Sequence, residues 1–560
     1  MTTVFRALIS LLCLSTLALA QGETGVNKEF GTPGEVGSFR ARLIKRSAGI
    51  RWLQASDHFK DMAAKDRFAA AEADNRDDIP TGDFLLLLDN TDHALRLFQP
   101  ENSPFAKDPA DADWQLVMGE DSVKFVLDDG AGLVLEKTLR HAPSQRGFVV
   151  ELTLRNTGSD ATGTQEFTLL GPALVARKTS GLVGDVAVSI AATLDGAEVH
   201  RKSTEITEPY RFDVSPEQLR FAGSSNRFFG AFVYPMDDFS RGAMTGIEAR
   251  SVAPRRDAPG DNLTSRVRYG LKFDVPQRGA ESTASFGLYM GPKSFRVFDT
   301  LEDPERFAPI LDVDLEPMCC FEIPGGRFMA KFLVGLLGTF YDFLGNWGFA
   351  IILLTILVRG SMFPLNFRMQ KSMRAYGSKM AKLKPQLEAL KTRYADDQKA
   401  YQQAMIQFQR EHKIMPPIGG CLPIFLTMPI YLGLFTGLRT AYDLRQEPWM
   451  FWINDLSVSD QLATLGFWPG EFNLLPLLWM GLFIFMTLRQ PLPTDPQQRQ
   501  MQMMMRFMPI LFGVMLYSYA SALLLYMVTS MLWSLVESAI VKKILGPIDP
   551  NAGAMAPTPI

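Results

Sequence analysis

The feature that most constrains this 560-residue chain is a series of apolar runs in its C-terminal part. They fall at residues 347–365, 423–438, 474–488, 507–519 and 523–541. Runs of this kind bury themselves in lipid or in a large core, and the charges between them decide which. Across 368–413, Lys and Arg far outnumber the acids Glu388, Asp396, Asp397 and Glu411, which marks the stretch as cytoplasmic by the positive-inside rule. The loop 439–471 carries more acid than base and suits the opposite face. Five membrane spans are therefore expected, with the C-terminus cytoplasmic. Some are short: residues 474–488 cover only ~22 Å as a helix, against a ~30 Å hydrocarbon core, which implies a thinned bilayer.

The opening residues read as a basic start at Arg6, a short apolar core and an Ala18-Leu19-Ala20 end, the pattern of a secretory signal peptide over 1–20. Cleavage after Ala20 is favoured over a retained anchor, and either one exports the next domain. That exported domain, 21–325, alternates apolar and polar residues between Gly, Asn and Asp turns, as in 147–155, 227–234 and 266–275. Many short strands at such spacing predict an all-β sandwich, with one helix expected over 57–73. Parity then settles residues 328–344. With the preceding domain outside, only one span can precede the basic stretch, so 328–344 is expected to lie along the outer surface as an amphipathic helix.

One charge stands out. Arg359 interrupts the first apolar run twelve residues after Trp347, ~18 Å along the helix. An arginine at such depth costs from ~3 to ~10 kcal/mol or more, depending on the reference state. Snorkelling to the cytoplasmic edge is one answer, and a water-filled cavity inside the bundle is the other. The cavity is favoured because Thr355, one turn earlier on the same face, is also polar. Beyond this span, apolar residues at Met373, Tyr376, Met380, Leu383, Leu387 and Leu390, then Tyr401, Met405 and Phe408, predict a helical hairpin turning at 394–397, with Pro385 kinking its first arm. Methionines cluster around residues 501–515, and their pliant side chains suit surfaces that accept varied partners.

Enzymatic chemistry finds little support. The four cysteines (Cys13, Cys319, Cys320 and Cys421) form no metal spacing or disulfide framework. His93, His141 and His200 are scattered, and no phosphate-binding loop or Ser/His/Asp set is present. No cofactor, metal or catalytic residue is expected.

The segments 345–349, 358–360, 364–365, 419–423 and 428–430, with 443–448, 452–456 and 507–509, resemble the YidC–Oxa–Alb membrane insertase family. The exported half is similar, more weakly, to the Gram-negative periplasmic domain of that family through 135–139, 149–156 and 287–292. The resemblance implies a five-helix core at 347–545 around a groove open to cytoplasm and lipid, with its arginine at Arg359 beside Thr355. An apolar substrate path would fall on Met428, Tyr431, Met515 and Tyr526. Implied partners are nascent inner-membrane proteins, the Sec translocon, membrane lipids and, through the basic hairpin, the ribosome. The tail 546–560 is expected to be disordered. Where the family commonly has Pro-Ser-Gly between its last two spans, this chain has Ala520-Ser521-Ala522, which predicts a less sharp turn. A rival reading, an anion or small-solute transporter with Arg359 as counter-charge, predicts internal repeats, and none is seen.

Overall fold

A computed structural model describes residues 25–73, 81–100, 103, 105–158, 163–175, 187–196, 198–252, 264–314, 326–394, 398–412, 422–464, 470–489 and 496–546. The expected signal peptide, all four cysteines, the hairpin turn at 395–397 and the tail beyond 546 lie outside these residues. The described chain forms two compact units, one of residues 25–314 with 441–443, the other of 326–440 with 444–546.

The first unit is a large β-sandwich. Nine strands form one antiparallel sheet in the order Glu198–Lys202, Val188–Thr193, Leu219–Ser225, Phe229–Pro235, Glu281–Pro292, Gly147–Asn156, Leu133–Ala142, Ser122–Asp128 and Gln115–Met118. Against it stand a four-stranded sheet over Gly25–Ala94 and a five-stranded sheet. The latter runs Tyr210–Arg211, Met244–Val252, Thr264–Asp274, Thr164–Leu170 and Leu97–Phe98. One core draws on all three: Leu53 and Leu85, then Phe167 and Tyr269, then Phe125, Leu152 and Phe286. Strict alternation explains the fit, since residues two apart point to one face. Strand Phe229–Pro235 is buried at every position, because Phe298, Phe307, Ile310 and Leu311 cover the other face of the nine-stranded sheet. The expected strands at 147–155, 227–234 and 266–275 are present within two residues of their limits. The helix expected over 57–73 begins later, as α1, Met62–Ala73. The preceding strand Gly49–Phe59 continues because Phe59 packs against Phe68 and Phe84.

The second unit is helical: α2 (Gly326–Leu344), α3 (Trp347–Arg393), α4 (Gln398–Glu411), α5 (Leu422–Thr440), α6 (Leu474–Leu488), α7 (Pro496–Met515) and α8 (Ser521–Leu545). The α2–α3 break is chemical. Gly345 takes a left-handed φ of 65° and its N–H returns to Tyr341 O at 2.7 Å, while the Asn346 side chain accepts from Phe349 N at 3.2 Å to start α3. On α2, Ala330, Leu333 and Leu337 form a buried stripe, whereas Phe328, Phe332 and Phe343 are exposed. Helix α3 runs from the first apolar run through Pro364 and Pro385 into the basic stretch.

Among the described residues two segments are long and apolar enough to cross a bilayer, Trp347–Ser372 and Ser521–Leu545, while Leu474–Leu488 and Arg506–Met515 are apolar but shorter. The run expected at 507–519 shifts: its helix starts at Pro496 and stops at Met515, and the next begins at Ser521.

Candidate functional site

Three helices meet at Arg359. Its guanidinium, on α3, donates to the Tyr431 hydroxyl of α5 and lies with Cζ 4.9 Å from that ring's centre. Tyr431 in turn stands edge-on to Tyr526 of α8, ring centres 5.6 Å apart at 64°. Tyr526 is buried and Tyr431 is 37% exposed, so the cluster has one closed side and one accessible side. Close helix packing sets this geometry. Gly360 follows Arg359, and a side chain there would stand 3.7 Å from the Trp533 ring of α8.

A fourth polar group joins the same face. Glu537 on α8 is buried, hydrogen-bonds with Asn366 of α3 and lies in the electrostatic range of Arg359. The spacing is helical: Arg359 and Asn366 are two turns apart, Tyr526 and Glu537 three turns apart, so each pair shares a face. Energetics give the pairing meaning. A cation–π contact contributes ~0.5–2 kcal/mol. Burying an arginine at membrane depth costs at least ~3 kcal/mol. At such a depth Tyr431 alone would not cover that cost. Sequence reasoning missed Glu537, although it is the one acidic residue in the run 523–541 and falls on the Tyr526 face.

The other expected site residues divide. Thr355 is fully buried, and its hydroxyl donates to Ile351 O at 2.6 Å, so its donor is used within its own helix. Met428, one turn before Tyr431, is 46% exposed, and Met515 is half-buried at the end of α7. Neither adds a polar contact to the cluster. Arg359, Tyr431 and Tyr526 come together.

The two ends of the helical unit differ. At one, Asp460 binds the first turn of α6: its Oδ2 accepts from Leu474 N at 2.8 Å, Leu475 N at 3.0 Å and Trp452 Nε1 at 2.9 Å. Asn473 bonds Tyr517, while Ser521 N and Ala522 N donate to Val458 O and Leu456 O. Leu456, Val458, Asp460 and Asn473 thereby knot together the ends of α6, α7 and α8. At the other end, Arg374 Nη1 donates to Gly546 O at 2.7 Å, joining the basic arm of α3 to the end of α8.

Comparison with known proteins matches residues 339–547 to the family model described as 60Kd inner membrane protein. A membrane protein insertase YidC of Neisseria meningitidis serogroup C is 36% identical over 273 residues, 48% of this chain and 45% of that protein. The YidC of Pseudoalteromonas atlantica is 29% identical over 419 residues, 73% of this chain and 68% of that protein. The match thus spans less than half the length of the Neisseria relatives. A solved structure of an active YidC insertase with its first transmembrane domain resolved aligns over 96% of this chain and 99% of that one, at 15% identity and a TM-score of 0.34, a likeness that bears no weight here.

Proposed function

We propose, from the match of residues 339–547 to the family model described as 60Kd inner membrane protein and from the likeness to insertases, that the chain inserts and folds other inner-membrane proteins. The observation that carries the reading is the junction of α3, α5 and α8 at Arg359, inside the matched region. A nascent segment bearing acidic residues is drawn to Arg359, which Tyr431 holds on the accessible side of the cluster. Its apolar part then moves into lipid past Met428, Tyr431, Met515 and Tyr526, and hydrophobic transfer releases it. Arg359 is a counter-charge and a reason for water to be present. No step breaks a covalent bond, and the protein is no enzyme.

Five spans, α3 and α5 to α8, fit this role, with α2 on the outer surface and the sandwich outside. The ties that Leu456, Val458, Asp460 and Asn473 make to the ends of α6, α7 and α8 support a groove closed outward. The arm of α3 with α4 is then a cytoplasmic hairpin suited to the ribosome and to Sec partners. The insertase names of the curated relatives disfavour the transporter reading.

Photo-crosslinkers at 359, 428 and 431 test the reading against ribosome-bound small membrane proteins, with exposed Leu478 of α6 as the control. Crosslinks at the first three positions are expected. Contact at none of them, or equal contact at 478, overturns the route.

A further inference from the structure

Among the described residues, the outer face of the five-stranded sheet carries more arginines than carboxylates. In register across the sheet lie Arg211, Glu248 and Arg268, with Arg250 two residues beyond Glu248 on the same face. Arg250 Nε and Glu248 Oε1 are 2.6 Å apart, which uses the one carboxylate of the row. Arg266, one repeat along from Arg268, is matched by Asp92 and Asn90. The Nε of Arg268, like that of Arg266, is buried without a hydrogen-bond partner. Burial, and next the charge of Arg250, holds the Arg268 pKa below the usual arginine value, with Glu248 and Asp92 acting against them.

Beside this row the sheet is bare. Gly246 and Gly270 face each other in register, next to Thr168. A side chain at 246 would stand 3.2 Å from Arg211 Nη2, and one at 270 would collide with the Thr245 hydroxyl. The register shifts between Met244 and Gly246, a bulge that bends the strand there. The result is a solvent-open cavity of about 340 Å³ with a backbone floor, guanidinium walls and two threonine hydroxyls.

We propose that the Arg211–Glu248–Arg268 row and the bare Gly246–Gly270 floor form a site for a phosphoryl group. Three arginines against one glutamate favour a dianion, and planar guanidinium forks match phosphoryl oxygens two at a time. The floor lets such a group approach the sheet, where any Cβ would hold it off. A phospholipid headgroup and free phosphate share this chemistry. The site is independent of the Arg359 reading, since it lies wholly within the sandwich.

Calorimetric titration of the full-length protein in detergent tests it. The probes are inorganic phosphate and the water-soluble dihexanoyl phosphatidylglycerol, at matched ionic strength with chloride as the control. Saturable binding is expected, weakened tenfold or more by Arg268→Gln and by Arg211→Gln, and strengthened severalfold by Glu248→Gln. Arg211 is exposed on a two-residue edge strand, so its variant keeps the test open should Arg268→Gln misfold. Phosphate binding alone assigns a soluble ligand, and binding of both probes assigns a headgroup. No saturable binding of either probe, or equal binding by wild type, Arg211→Gln and Glu248→Gln, overturns the site.

Discussion

Arg359 and Glu537 lie in electrostatic range of each other, and substitutions should separate their effects. Arg359→Ala should lower insertion of clients with acidic translocated segments by about tenfold, the factor that ~1.4 kcal/mol gives, and spare neutral clients. Arg359→Lys should retain much of the activity. Glu537→Gln removes the carboxylate that shares the charge, so acidic clients should gain relative to neutral ones. Insertion assays with paired acidic and neutral versions of one client read all three outcomes. Equal losses for both versions would remove the counter-charge role. A second buried charge, Lys137, lies in the sandwich core, facing inward between Leu135 and Leu139. It donates to Leu95 O at 2.7 Å and lies near the rings of Trp114 and Phe125. Burial pushes its pKa from 10.5 down to about 7. Between those values the unfolded chain holds a proton that the folded chain lacks, so stability rises with pH across that window. Thermal melts from pH 7 to 9.5 should show the rise in wild type and a flatter profile in Lys137→Met.

At the scale of elements, capping decides where helices begin. Asp460 lies fourteen residues before Leu474, yet its carboxylate caps α6 by accepting the first two free N–H groups. Asp460→Ala leaves these donors and Trp452 Nε1 without their acceptor, at a cost of ~1.5–3 kcal/mol for charged hydrogen bonds of this kind. A lower melting temperature in detergent is expected, with residues 456–464 opening to protease before the rest of the helical unit. An unchanged cleavage pattern would mean that the knot is held elsewhere. Local signals located several elements well. The turn residues bounding 147–156 and the Gly345-Asn346 pair announce their boundaries in the sequence. The late start of α1 was hidden, because Phe59 extends its strand by contacts with Phe68 and Phe84 that no local preference encodes.

For the whole molecule, charge parity yields a topology that fusions can check. A fluorescent reporter joined after Lys399 should light in the cytoplasm, and alkaline phosphatase joined after Gly470 should be active outside. Reversal of both would invert the bundle, and one reversal alone would change the number of spans. Short helices such as Leu474–Leu488 cover ~22 Å, so lipids with shorter chains should support more insertion than lipids with long ones.

The sequence by itself determined the class of each half, since period-two alternation and long apolar runs are local patterns that read the same in any context. It also showed a charge, Arg359, inside a long apolar run. Tertiary structure decided what that charge meets: Tyr431 comes from 72 positions away, and Glu537 is brought in by the packing of α8 on α3. It likewise retired Thr355 as a free hydroxyl, because whether a side chain faces water or its own helix depends on the neighbour that buries it. Patterns along a chain fix which face is apolar. The partner of a charge on the polar face is set only when helices far apart in sequence close on one another.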